Sequence, residues 1–221
     1  MGNKLFEYSQ SMMIGHQTHI AEISREAHYK INGLTIYAPP GIYHPTNTSS
    51  SLFLLHFLEK INVTKKRILE IGAGTGVISI YLAKNGNSLI SSDISELCCA
   101  CMCWNSSSNG VTIDIIKSNM WENISDKTMA DIVIFNPPLL DKKIENETEL
   151  SLCDPDGKLV NKFLSGVSKF IKPTGDVYLV HSNISKDLPQ DWRGRETVMD
   201  TTTKIDGAVF NILKLRPKSW N

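Results

Sequence analysis

The chain has 221 residues, with 23 basic and 23 acidic side chains and so no formal net charge. At 41% hydrophobic and 21% charged it has the composition of a folded globular domain, not of a disordered chain. That length can bury a core without disulfide or metal staples. A neutral balance argues against a protein that grips long nucleic acid through its phosphates, which takes a surplus of cations on one face. No stretch approaches the ~18 apolar residues of a membrane helix, and the N-terminus has no apolar run suited to a signal peptide. The five cysteines are Cys98, Cys99, Cys101, Cys103 and Cys153, an odd number with four of them crowded into six positions. This is a poor disulfide framework, so a cytoplasmic protein with free thiols is expected.

In chain order, residues 1–27 read as a polar leader with a short helix near His19–His28, and residues 28–221 as the folded domain. The domain opens with a hairpin over 28–45, broken at Asn32-Gly33 and at Pro39-Pro40-Gly41. Ser49-Ser50-Ser51 supplies capping side chains for a helix through Leu52–Leu58. From Arg67 the pattern alternates. Strands are expected at Arg67–Ile71, Ser88–Ser92, Val111–Lys117, Asp131–Phe135 and Val177–His181. Helices are expected at Val77–Lys84, Glu96–Asn105 and Lys158–Ile171, the last closed by Lys172-Pro173-Thr174-Gly175. Glu196–Thr203 and Ala208–Leu215 read as two strands joined at Asp206-Gly207. Such alternation gives a parallel sheet covered by helices on both faces, and the final hairpin adds an antiparallel pair.

The most informative stretch is Glu70-Ile71-Gly72-Ala73-Gly74-Thr75-Gly76, an apolar strand running into a glycine turn. Glycines at alternate positions allow a sharp turn and a close backbone approach to a ligand. A dinucleotide site requires its third glycine where this chain has Val77. The acidic Glu70 would repel a pyrophosphate and attract a cation. The ligand favoured is S-adenosylmethionine, which carries an ammonium and a sulfonium and no phosphate. About twenty residues on, Asp93 ends the second strand, as in other nucleoside-binding α/β units. Further along, Phe135-Asn136-Pro137-Pro138-Leu139 ends a buried strand in a loop stiffened by two prolines. The Asn136 side-chain oxygen and the Pro137 carbonyl form a pair of acceptors suited to the two hydrogens of an NH2 group.

The glycine turn resembles the first motif of class I S-adenosylmethionine-dependent methyltransferases. The Asn-Pro-Pro loop is similar to that of the members acting on planar nitrogens, the HemK-like and small-domain group. The resemblance covers residues ~28 to 216. It implies a Rossmann-like, doubly wound, seven-stranded and mostly parallel sheet with a C-terminal antiparallel hairpin. It implies that Glu70, Gly72, Gly74 and Gly76 hold the methionine end of the cofactor. Asp93 then accepts from the ribose hydroxyls, Asn119 accepts from the adenine amino group, Trp121 flanks the adenine, and the Ser51 hydroxyl reaches the cofactor. Asn136, Pro137, Pro138 and Leu139 are implied as the catalytic loop.

Leu139 stands where the group has an aromatic ring that stacks on a flat acceptor. The leader is also too short for the helical bundle with which full-length HemK-type enzymes recognise release factors. The expected acceptor is a nitrogen, amide or amine, of a protein, a peptide or a small molecule. The alternatives are an RNA or DNA base, the oxygen of a small molecule, and a catalytically idle module on the same fold. The Cys98–Cys103 cluster has no second ligand pair at zinc spacing and reads as core, so no metal is expected. The run Asp141–Glu147 reads as a solvated loop beside the site. His181 is the one histidine expected near the crevice.

Overall fold

The computed structural model describes residues 10–189, 196–202 and 208–215. The chain begins with helix α1 (Gln10–Ile23) and an antiparallel hairpin of β1 (Ala27–Ile31) and β2 (Leu34–Ala38). Asn32 and Gly33 link these strands with φ of 48° and 77°, both positive as the tightest hairpin turn requires. Along β2, Leu34, Ile36 and Ala38 are buried while Thr35 and Tyr37 are half-buried, the period of two of a strand with one face on a core. Helix α2 (Ser50–Lys60) starts where the Ser49 hydroxyl accepts the Leu52 amide at 3.2 Å, a capped N-terminus.

The main sheet contains β3 (Arg67–Ile71), β4 (Ser88–Asp93), β5 (Asp114–Lys117), β6 (Ala130–Phe135), β7 (Ile171–Ser182), β8 (Glu196–Thr202) and β9 (Val209–Leu215). Their order is β5-β4-β3-β6-β7-β9-β8. The first five pair in parallel, and β9 runs antiparallel to both β7 and β8. Chain order reverses between β3 and β6. In an open parallel sheet, that is where a crevice forms beyond the carboxyl ends of the strands.

Two apolar clusters sandwich the sheet. On one face Ile68, Ile132, Ile134 and Val180 pack with Leu54, Leu55 and Leu58 of α2 and with Ile78, Ile80 and Leu82 of α3 (Val77–Lys84). On the other, Leu69, Val133, Phe135 and Leu179 pack with Val160, Phe163 and Leu164 of α5 (Lys158–Gly166). Successive strand residues thus serve opposite faces, which is why Ile132-Val133-Ile134-Phe135 is apolar without interruption. Helix α4 (Glu96–Ser108) ties the small hairpin to the sheet. Its Asn105 accepts the Tyr37 amide at 2.8 Å and donates to the carbonyls of Tyr37 and Thr75 at 2.8 and 2.9 Å.

Three expectations are corrected. The first helix ends at Ile23, and strand β1 already begins at Ala27, so no helix runs to His28. Helix α5 ends at Gly166, a 3-10 turn covers Val167–Lys169, and Ile171 opens β7. Lys172–Gly175 lies within that strand: Ala130 pairs with Ile171 and Ile132 with Asp176, so the extra residues bulge out of the ladder. Strand β5 starts at Asp114, three residues later than Val111. The Asp206-Gly207 turn and the Trp192–Arg195 segment lie outside the described residues.

Candidate active site

Four parallel strands deliver their carboxyl ends to one place. Ile71 leads into the glycine turn, Asp93 ends β4, Ser118–Met120 follows β5, and Asn136–Leu139 follows β6. Together with α1 and the start of α2 they enclose a cleft of about 370 Å³. Nine of the twelve expected residues line it: Ser51, Gly72, Gly74, Asp93, Asn119, Asn136, Pro137, Pro138 and Leu139.

The half beside the glycine turn is polar below and apolar at its edges. Gly74 has φ of 56°, and a Cβ there would lie 3.9 Å from its nearest neighbour, Ile42, so the space it faces is open. The Gly74 amide donates to Asp93 Oδ2 at 3.0 Å and the Ser95 amide donates to Oδ1 at 2.9 Å. These bonds fix the carboxylate. Burial pushes its pKa up, against the pull of the same amides. Asn119 donates its Nδ2 to Glu122 at 2.8 Å, which leaves its oxygen to accept. Ile94 and Met120 add apolar walls. Sequence reasoning passed over both, although each adjoins a polar residue it had singled out.

Three expected residues lie elsewhere. Glu70 is 2% exposed and points beneath the turn, where Ser79 of α3 donates a hydrogen bond to it. The period of two decides this: Ile68 faces α2 and α3, and so does Glu70. Gly76 faces α4, where a Cβ would come within 2.8 Å of Met102 Cγ; it is needed for close packing. Trp121 stacks on Phe170 at 4.9 Å and on Phe163 at 5.4 Å, and its Nε1 donates to the Lys162 carbonyl at 3.1 Å. Its ring lies so close over Gly166 that a Cβ there would stand 2.4 Å away. It is core beneath α5 and not a wall of the cleft.

Burial raises the Glu70 carboxyl to about 7 from 4.5; hydrogen bonding from Ser79 opposes this and the Asp93 charge adds to it. A raised carboxyl keeps its proton in the folded state after the unfolded chain has lost it. The stability it contributes is full below pH ~4.5 and is lost as pH rises through ~7. Glu70→Gln should remove this decline, on the order of 3 kcal/mol over the window. Urea denaturation of both proteins at intervals from pH 4.5 to 8 measures it; parallel curves would contradict the raised carboxyl.

The other half of the cleft is built by the Asn-Pro-Pro loop and by segments distant in sequence. Asn136 Nδ2 donates to Ser51 Oγ at 3.1 Å. Its Oδ1 is buried and has no hydrogen-bond partner among the described residues. The Leu139 carbonyl accepts the Ser185 hydroxyl at 2.7 Å, and Leu140 and Leu152 are joined by a 3.0 Å backbone bond. Opposite stand His16 and His19 of α1, Tyr43, Glu147 and Leu150. The Asp141–Glu147 run is anchored by Glu149 in the 3-10 turn Glu147–Ser151. Glu149 accepts from Lys142 at 2.8 Å and from the Glu145 amide at 2.8 Å, and its Oε1 lies 2.9 Å from His16 Nε2. Burial alone would raise the Glu149 carboxyl, but these partners outweigh it and hold it at about 2. Sequence reasoning missed this wall: His16 and His19 sit one helical turn apart on α1, but nothing local ties them to Glu149, 133 residues away. His181 is not part of it; its Nε2 lies 3.0 Å from the Lys186 carbonyl.

Cys98 and Cys101 pack against Ile42, and burial raises the thiols of both. Among the described residues no group of three or more His, Cys, Asp or Glu side chains is placed to hold a metal ion. Among them, too, no helix is long and apolar enough to cross a membrane.

The family model of the methyltransferase small domain matches residues 33–213. The chain belongs to the methyltransferase small domain family. It is an S-adenosylmethionine-dependent methyltransferase of the HemK-like group. A putative protein N5-glutamine methyltransferase of Methanocaldococcus jannaschii is 31% identical over 163 residues, covering 71% of this chain and 80% of that one. A ribosomal RNA small subunit methyltransferase C of Buchnera aphidicola is 36% identical over 115 residues, covering 50% of this chain and 32% of that one. The chain thus spans most of the archaeal relative but about a third of the bacterial one. Among solved structures, a T. thermophilus 16S rRNA methyltransferase in complex with AdoMet and guanosine superposes with a TM-score of 0.64 at 20% identity. That match covers 87% of this methyltransferase and 50% of the other chain.

The cleft of this small-domain methyltransferase fits such a cofactor. Gly74 adds no side chain to the cleft, the fixed Asp93 carboxylate is an acceptor, and among the described residues no Lys or Arg lines the cleft to meet a pyrophosphate.

Proposed function

We propose that this methyltransferase modifies a planar nitrogen bearing two hydrogens, the side-chain amide of a protein or peptide. One observation carries the reading: Asn136 spends its Nδ2 on Ser51 and is left with a buried Oδ1 that has no partner among the described residues. A buried acceptor without a donor costs about 1–3 kcal/mol, and the N–H of an acceptor substrate would recover it. Two features favour a peptide over RNA. Among the described residues no Lys or Arg lines the cleft, whereas Asp93 and Glu147 do; an RNA strand would bring its phosphates to a lining without a fixed cation. The archaeal relative of which the chain covers 80% is named for protein glutamine.

The roles follow from chemistry. The bound cofactor supplies a methyl group activated by the sulfonium. Asp93 accepts from the ribose hydroxyls, Asn119 accepts from the adenine amino group between Ile94 and Met120, and the backbone of Gly72–Thr75 receives the methionine end. Asn136 Oδ1 and the Pro137 carbonyl hold the two hydrogens of the acceptor nitrogen, so its lone pair faces the methyl group. Both oxygens gain as positive charge develops on nitrogen. The methylated amide nitrogen is a strong acid and gives its proton to water, so no general base is required. Leu139 covers the acceptor with an aliphatic wall in place of a ring.

The test is transfer of an isotope-labelled methyl group to glutamine-containing peptides and, in parallel, to structured RNA. Label on a side-chain amide nitrogen, located by mass spectrometry and NMR, is the expected result. Label on an RNA base, or on oxygen or sulfur, would replace the reading; binding of the cofactor without transfer to any acceptor would favour an idle module.

A further inference from the structure

The resemblance to the family gives Ser51 to the cofactor, but its hydrogen bond points elsewhere. We infer that Ser51 is a positioning residue for Asn136, acting on the acceptor and not on the cofactor; the inference rests on the planar-nitrogen reading above. Three observations support it. Ser51 is fixed in place, because α2 begins at the Ser49 cap and buries Leu52, Phe53, Leu54, Leu55, Phe57 and Leu58. Its Oγ stands 3.1 Å from Asn136 Nδ2, joining two segments 85 residues apart. And Oδ1, the other end of the same carboxamide, is buried without a partner among the described residues.

A carboxamide is nearly symmetric in shape, and a half-turn about its last bond exchanges oxygen for NH2. Two donors facing the NH2 of an acceptor would repel it. Ser51 Oγ, accepting from Nδ2 in this structure, holds the plane of the carboxamide, and the orientation it holds turns the oxygen to the acceptor. Pro137 and Pro138 stiffen the loop backbone that follows, but they place no constraint on the side-chain torsion of Asn136. Ser51 supplies the constraint the loop lacks. Threonine at 51 would retain the hydroxyl; alanine would leave Nδ2 buried and the carboxamide free to turn.

The experiment is a double-mutant cycle with a separate binding readout. Ser51→Ala should lower turnover on the glutamine-containing peptide about tenfold and leave the dissociation constant of S-adenosylmethionine, by calorimetry, within about twofold of the parent. Ser51→Thr should restore turnover. In an Asn136→Ala background, Ser51→Ala should cost nothing further, since a residue acting through another loses its effect when that one is gone. The Asn136 side-chain NH2 signals in a 15N–1H spectrum, identified by their loss in Asn136→Ala, should shift in Ser51→Ala and return in Ser51→Thr, a readout that needs no substrate. Weakened cofactor binding in Ser51→Ala, with turnover at saturating cofactor unchanged, would return Ser51 to the cofactor and overturn the inference. Multiplicative effects of the two alanines, or NH2 signals indifferent to residue 51, would overturn it as well. Near-normal turnover of Asn136→Ala alone is a different failure and counts against the planar-nitrogen reading itself.

Discussion

Asn136→Ala is expected to reduce turnover ~100-fold or more, the scale seen when one preorganised transition-state group is removed. Affinity for S-adenosylmethionine should hardly change. The two halves of this expectation come from different places in the cleft. Asn136 belongs to the loop after β6, beside Ser51, while the cofactor is assigned to the turns after β3, β4 and β5. Its oxygen accepts a hydrogen of the uncharged amide before reaction, and that bond strengthens further on the cationic nitrogen that forms when the methyl is transferred. The loss should therefore fall on kcat more than on KM. Calorimetry and steady-state kinetics on the same preparation separate the two. If both cofactor affinity and turnover stay near normal, Asn136 merely shapes its loop, and the acceptor is an oxygen, a sulfur or a free amine.

Gly74→Val should abolish cofactor binding, weakening it by more than ~100-fold. Two effects act together. Gly74 has φ of 56°, a conformation a β-branched residue adopts only under strain of about 1–3 kcal/mol. The added side chain would also enter the cleft, where the nearest atom to a Cβ is 3.9 Å away, in the space we assign to the cofactor. Gly76→Val acts through a different contact, because a Cβ there meets Met102 at 2.8 Å and the damage is to packing. Thermal unfolding alongside calorimetry distinguishes them: the Gly74 variant should unfold as a cooperative domain that has lost its ligand. Retained affinity in a folded Gly74→Val protein would remove the glycine turn from the cofactor site.

Strands buried on both faces were the most legible part of the fold. Arg67–Ile71 and Val77–Lys84 have the limits their apolar runs and glycine turn indicated, because a strand between two helical layers must be apolar throughout and a turn into a helix requires glycine. Side-chain direction was less legible. Glu70 precedes the glycine turn in sequence but faces Ser79, and only its parity with Ile68 carried that information. Trp121 was unreadable for another reason: its neighbours Phe163, Gly166 and Phe170 are more than forty positions away, and nothing local records them. The same holds for α1 and Glu149, whose 2.9 Å contact with His16 spans 133 residues. Lys172–Gly175 misled because Pro and Gly in a bulge read like Pro and Gly in a turn.

The reversal of strand order at β3 and β6 divides the cleft by genealogy of contact as well as by position. One wall, from Gly72 to Met120, is carried by three successive strand ends, with Ile42 as an apolar neighbour from earlier in the chain. The opposite wall is assembled from α1, the start of α2, the loop after β6, the 3-10 turn and β9, segments that meet only in the folded protein. A substitution on that second wall is therefore expected to alter the acceptor first, while the turns we assign to the cofactor keep the support of their own strands.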